Sequence, residues 1–142
     1  MDTLGRHLIA EFYGCDHRVL DDEAAVLAAL RSAVEAIGAA LIALSSHHYA
    51  PQGVTATALI AESHVSIHTW PEHGYAAVDL FTCGGLDPRP GFERLRSALG
   101  AQQVRVQEIL RGLDAHVEAG RDLAPDDVLV FSRLAPLEDG RG

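Results

Sequence analysis

Val54-Thr55-Ala56-Thr57-Ala58-Leu59-Ile60-Ala61-Glu62-Ser63-His64-Val65-Ser66-Ile67-His68-Thr69 is rich in β-branched residues and carries Glu62-Ser63-His64 at its middle. The run reads as one long strand. Pro71-Glu72-His73-Gly74 supply turn chemistry behind it, and Tyr75 to Phe81 make a returning strand. Ahead of the run, Pro51-Gln52-Gly53 break the chain, and Ala40 to Leu44 form a short apolar strand. Further upstream, Leu8, Ala10 and Phe12 alternate with His7, Ile9 and Glu11 in a first strand near residues 6–13, closed by a turn from Gly14 to Asp16. Asp21 or Asp22 caps a helix in which Val26, Leu27, Leu30, Val34 and Ile37 recur at helical spacing until Gly38. Downstream, Gly84 and Gly85 lead through a Pro-rich connection to a second helix over about 90–99, with Phe92, Leu95 and Leu99 on one face. Val104, Val106 and Ile109 mark a last strand before Arg111-Gly112.

Two helices among strands joined by hairpin-length connections pack most economically on one face of a mainly antiparallel sheet. The expected fold is therefore an α+β two-layer sandwich. One layer of helix leaves the other sheet face partly apolar, so a homodimer is expected. The stretch from Leu113 to Gly142 carries polar, Pro and Gly punctuation with little periodicity and receives no role.

A chain of 142 residues, 48% apolar and without low-complexity stretches, is expected to form a single globular domain over 1–142. No apolar run approaches the roughly 18–20 residues that cross a bilayer. Met1-Asp2-Thr3-Leu4-Gly5-Arg6-His7 lacks the basic-then-apolar pattern of a secretory signal, so the cytoplasm is the expected compartment. Eleven basic against twenty acidic residues, a net charge of −9, argue against a nucleic-acid partner, because phosphates are neutralised by clustered Lys and Arg. The same balance is compatible with a cationic small substrate. Cys15 and Cys83 form no Cys-x-x-Cys pattern, and in a reducing compartment they are free thiols, at least one of them open to a chemical role.

The chemistry concentrates between Ala61 and Tyr75, where two serines, three histidines, two carboxylates and two aromatics lie between apolar strands. Buried polar groups cost free energy unless paired, so such a cluster calls for a reason. Three readings compete. A hairpin can turn its polar groups to solvent and do nothing more. A metal site could use His64, His68 and His73, but residues 64 and 68 of a strand are about 13 Å apart, too far to share an ion directly. Nucleophilic chemistry by a serine needs a hydroxyl, an imidazole and a defined carbonyl within hydrogen-bond reach.

Glu62-Ser63-His64, Ser66-Ile67-His68-Thr69-Trp70-Pro71-Glu72, Gly74-Tyr75-Ala76-Ala77-Val78-Asp79 and Phe81-Thr82-Cys83-Gly84 together resemble the prokaryotic S-adenosylmethionine decarboxylases. Leu4-Gly5-Arg6-His7-Leu8 and Pro51-Gln52-Gly53-Val54 are similar to the same family, so the resemblance runs from about residue 4 to Arg111-Gly112. A match in order and at family spacing is far more specific than one short motif.

The resemblance implies a precursor that cuts itself between Glu62 and Ser63. The Ser63 hydroxyl attacks the Glu62 carbonyl, and elimination and hydrolysis leave a pyruvoyl cofactor on an α chain of 63–142, released from a β chain of 1–62. In the family that group forms a Schiff base with the substrate amine and accepts the electrons set free as carbon dioxide leaves. By the same resemblance His68 is the base that assists processing, Cys83 the proton donor to the decarboxylated carbon, and Thr55 a hydroxyl near the cofactor. Tyr49 and Trp70 are implied as aromatic surface near adenine, and Glu72 as a partner for ribose hydroxyls. Tyr75 and Asp79 match family positions without an assigned chemistry, and no metal is implied. The family also implies a β-α-β-β-α-β order and a dimer whose sites lie where two protomers meet. The expected substrate is S-adenosylmethionine, giving an aminopropyl donor for spermidine or spermine synthesis. The alternatives are the same chemistry on arginine or ornithine, or an unprocessed relative kept as a binding partner.

Overall fold

A computed structural model describes residues 4–113, so readings on 114–142 lie outside the described residues. Along the chain come β1 (Gly5–Tyr13), α1 (His17–Leu20), α2 (Glu23–Ile37), β2 (Leu41–His48), β3 (Val54–Ile60), β4 (Ser63–Trp70), a single 3-10 turn (Pro71–His73), β5 (Tyr75–Cys83), α3 (Arg89–Leu99) and β6 (Gln103–Arg111). The strands form one six-stranded sheet in the order β2-β3-β4-β5-β1-β6, and every neighbouring pair is antiparallel. The expected β-α-β-β-α-β order is corrected in detail: the two long helices, α2 and α3, are present, but four strands rather than two stand between them, because the run Val54–Thr69 folds into a hairpin, and the short α1 precedes α2.

The run Val54–Thr69, read as one strand, is two. Ile60 pairs with Ser63, and Ala61 and Glu62 make the turn between them. The burial pattern records the break. Val54, Ala56, Ala58 and Ile60 are buried on β3, whereas Val65, Ile67 and Thr69 are buried on β4. The alternation changes phase by one residue across the turn, as it must when the chain doubles back and keeps one face against the core.

Asp22 rather than Asp21 caps α2, its carboxylate accepting from the Ala25 N–H at 3.1 Å, and Gly38 ends the helix in the left-handed conformation at φ 79°. The helix α1 is a single turn started by the Asp16 side chain, too short to leave a periodic signature. Helix α2 buries Val26, Leu30 and Val34, and α3 buries Phe92, Leu95 and Leu99. Both lie on the sheet face that carries Leu8, Ala10, Phe12, Val78 and Leu80. Burying each large aliphatic side chain contributes about 1.5–3 kcal/mol, and the rings of Phe12 and Phe92 stack with centroids 5.4 Å apart. At Gly91 a Cβ would come within 2.6 Å of Ile37, so the close approach of the two helices depends on glycine there. The opposite sheet face, carrying His64, Ser66, His68 and Trp70 of β4 and Tyr75, Ala77, Asp79 and Phe81 of β5, is covered by no helix among the described residues.

Candidate functional site

Glu62 occupies the hairpin turn between β3 and β4 with φ at 75°, the one non-glycine residue with positive φ among those described. A side chain in that region costs roughly 1–2 kcal/mol relative to the ordinary right-handed conformation. The Ser63 hydroxyl donates a hydrogen bond to the Glu62 carbonyl oxygen and lies 3.2 Å from the Cys83 sulfur. Cys83 arrives there because β5 runs antiparallel to β4, with Phe81 opposite His64, so the last residue of β5 ends beside the turn. The Ser63 hydroxyl, the Glu62 carbonyl and the Cys83 thiol therefore share one end of the sheet.

The two cysteines differ sharply. Cys15 is buried in the core, and burial pushes its thiol up to about 12, so it stays protonated at neutral pH. Cys83 is only half-buried and faces Ser63.

Thr55 and His68 are partners across the β3–β4 ladder, and the Thr55 hydroxyl lies 2.9 Å from His68 Nδ1. They open into a cavity of about 350 Å³ that is also lined by Tyr49, Gln52, Gly53, Thr69, Trp70 and Glu72. Tyr49 and Trp70 are both substantially exposed, at 48% and 40%, so their rings are available to a ligand rather than spent on the core. The structure thus gathers Thr55, His68, Tyr49, Trp70 and Glu72 at one place, and Glu62, Ser63 and Cys83 at another. Ser63 and His68 are five positions apart on an extended strand, about 16 Å along β4 at ~3.3 Å per residue.

Several residues at these sites carry no role in the sequence reading. Thr69 is buried beneath the cavity, its hydroxyl donating to the Leu20 carbonyl and accepting from the Val54 N–H, both at 2.8 Å. Tyr75 stacks between Trp70, with centroids 5.1 Å apart, and Tyr13, at 5.6 Å. Its hydroxyl bonds the Glu11 carboxylate, and burial followed by that carboxylate raises its pKa well above the ordinary value. Trp70 is held in a three-ring stack by these contacts. On the uncovered face, His7 Nε2 lies 3.0 Å from the Asp79 carboxylate and Arg111 lies 3.4 Å from His7 Nδ1. Arginine only donates, so Nδ1 accepts and the Nε2–H is directed to Asp79. The Arg111 guanidinium also sits 4.7 Å above the Phe81 ring, next to the Cys83 end. Among the described residues no group of three or more His, Cys, Asp or Glu converges as metal ligands would.

Residues 6–112 match the S-adenosylmethionine decarboxylase family. An S-adenosylmethionine decarboxylase proenzyme from Thermosipho africanus is 50% identical over 113 residues, which span 79% of this chain and 87% of that one. The protein of the same name from Methanococcus vannielii is 48% identical over 114 residues, spanning 80% of this chain and 93% of that one. In three dimensions the chain is similar to the crystal structure of the adenosylmethionine decarboxylase from Aquifex aeolicus VF5. That likeness has a TM-score of 0.73 at 34% identity, over 80% of this chain and 94% of that one.

Proposed function

The chain belongs to the S-adenosylmethionine decarboxylase family, and we propose that it cuts itself between Glu62 and Ser63 and then releases carbon dioxide from S-adenosylmethionine. The observation that carries this reading is the Ser63 hydroxyl bonded to the carbonyl of its own predecessor, at a residue whose backbone is left-handed without being glycine. Attack of Ser63 Oγ on the Glu62 carbonyl carbon breaks the peptide C–N bond, frees the Ser63 amine and leaves an ester. Opening of the link after Glu62 frees that residue from a turn that holds it at positive φ, so the backbone strain is released once the chain is cut. Removal of the Ser63 α-proton expels the Glu62 carboxylate, and addition of water with loss of ammonia leaves a pyruvoyl group at position 63. That group supplies an electron-accepting carbonyl to a bound amino acid.

The chain's own residues provide the rest. The Cys83 thiol, 3.2 Å from Ser63 Oγ, is placed to return a proton to the substrate α-carbon. His68, oriented by the Thr55 hydroxyl, is the base for the elimination. Tyr49 and Trp70 offer stacking surfaces and Glu72 accepts hydrogen bonds from a diol, in a cavity whose 350 Å³ suits a nucleoside. That lining favours S-adenosylmethionine over arginine or ornithine, which have no base to stack.

A gap of about 16 Å between Ser63 and His68 in one chain is far beyond proton-transfer reach, and a second copy closes it. A two-fold axis crossing the uncovered sheet face near the middle of β4 sets His68 of the partner subunit beside Ser63 and Cys83. The half-exposed Leu59 and Trp70 on that face support its burial against another sheet. The working protein is a homodimer of cleaved protomers with two shared sites. No described helix is long and apolar enough to cross a membrane, and we place the enzyme in the cytoplasm. There its product serves as an aminopropyl donor for spermidine or spermine. Incubation of the purified protein with S-adenosylmethionine, arginine and ornithine, with released carbon dioxide as the readout, tests the substrate. Turnover of arginine or ornithine but not of the sulfonium compound overturns it.

A further inference from the structure

The loop between β2 and β3 delivers Tyr49, Gln52 and Gly53 to the cavity, yet Tyr49 is half-exposed and the loop has little core of its own. Its conformation is set from behind. Inside the loop the Tyr49 N–H donates to the Gly53 carbonyl at 2.8 Å. Outside it, one oxygen of Asp21 accepts the Gly53 N–H at 3.0 Å and lies 2.8 Å from His48 Nε2. His48 is the last residue of β2, and Gly53 immediately precedes β3. A single carboxylate therefore joins the two ends of the loop. Asp21 is itself anchored, because its N–H donates to the His17 carbonyl at 3.2 Å and closes α1. Asp22 caps α2, which leaves the neighbouring Asp21 carboxylate free for the loop. At Gly53, with φ at 106°, a Cβ would stand 3.1 Å from the Thr69 carbonyl, so the loop end is pressed against β4. The Gly53 N–H and His48 hold the Asp21 carboxyl below the usual carboxylate range, consistent with a charged acceptor there.

We propose that Asp21 is a positioning residue for substrate binding, which fixes the Tyr49–Gly53 loop through His48 and Gly53 so that Tyr49 meets the adenine ring opposite Trp70. The proposal rests on reading the cavity as a nucleoside site. Asp21 touches no substrate. It lowers the ordering cost that binding would otherwise impose on the loop, an effect equal for ground and transition states, so it acts on KM and not on kcat.

Trp70 is the sole tryptophan of the chain and lines this cavity, so its fluorescence reports occupancy directly. Adenosine is titrated into the processed wild-type enzyme and into the Asp21→Ala and Asp21→Asn variants. KM and kcat for S-adenosylmethionine are measured beside each titration. Removing hydrogen bonds of this kind raises Kd for adenosine and KM together by roughly three- to tenfold, with kcat and the extent of self-cleavage unchanged. Asp21→Asn keeps an amide oxygen for the Gly53 N–H and recovers part of the loss. That variant keeps the test decisive if Asp21→Ala folds poorly. Wild-type Kd and KM in both variants overturn the positioning role. So does a fall in kcat and in cleavage as large as the rise in KM, since that pattern marks general destabilisation. Absence of any Trp70 response to adenosine in the wild type refutes the nucleoside cavity itself, which separates failure of that reading from failure of this one.

Discussion

Co-expression of Ser63→Ala with His68→Ala probes how the site is assembled. Alone, the first chain lacks the attacking hydroxyl and the second lacks the base, so both stay uncut or cut very slowly. Within one chain the two residues stand about 16 Å apart along β4, against the roughly 3 Å that proton transfer allows. No rotamer of His68 spans the difference. In a mixed dimer, however, one site combines Ser63 of the His68→Ala chain with His68 of the Ser63→Ala chain and is complete. The other site carries both substitutions. With random pairing about half of the His68→Ala chains meet a Ser63→Ala partner, so about half of them are cleaved. Differently sized tags on the two chains let intact mass spectrometry read this fraction and show which chain is cut. Verified mixed dimers in which the His68→Ala chain is cut no faster than in its own homodimer refute the shared site. A useful converse pairs wild type with a chain carrying both substitutions: wild-type chains in mixed dimers then cleave slowly, whereas a site contained in one chain cleaves normally.

Other expectations follow from single positions. Cys83→Ala still cleaves but decarboxylates roughly 10²–10⁴-fold more slowly, the usual contribution of a positioned acid, as measured by carbon dioxide release; full activity removes Cys83 from its role. Glu62→Gly relieves the left-handed conformation, so uncut precursor is stabilised by about 1 kcal/mol and cleaves more slowly in a time course on gels; unchanged cleavage means that the strain contributes nothing. Leu30→Ala in a Ser63→Ala background, where the chain stays whole, loses about 2–5 kcal/mol in urea unfolding because Leu30 is fully buried between α2 and the sheet. At pH 7.5 an alkylating reagent leaves Cys15 unmodified until the protein is unfolded, because burial keeps that thiol protonated; modification at the rate of a free thiol contradicts its inert, structural role.

Much of the fold was legible because local chemistry and long-range packing agree. Asp22 and Gly38 bound α2 as caps, and Phe92, Leu95 and Leu99 mark the buried face of α3. The hairpin at Ala61-Glu62 is hidden in the sequence, since a two-residue turn normally advertises itself with Asn-Gly or Gly and this one has neither. Only the change of phase from Ile60 to Val65 betrays it. The β2 strand runs on to His48 because Ser45, Ser46, His47 and His48 lie on a sheet edge, where polar side chains are tolerated and apolar patterning fails. The family resemblance pointed to Tyr49, Thr55, Glu62, Ser63, His68, Trp70, Glu72 and Cys83, but that Thr55 meets His68 and Cys83 meets Ser63 depends on the pairing of strands distant in sequence. The loop clamp was invisible, because Asp21, at the C-terminal end of α1, reaches His48 and Gly53 only in the folded chain, 27 and 32 residues away in sequence.

Intact mass of the purified wild-type protein tests the central claim most directly. Two fragments, one ending at Glu62 and one beginning with a pyruvoyl group in place of Ser63, are the predicted result. A single folded chain of full mass that nonetheless evolves carbon dioxide from S-adenosylmethionine contradicts it.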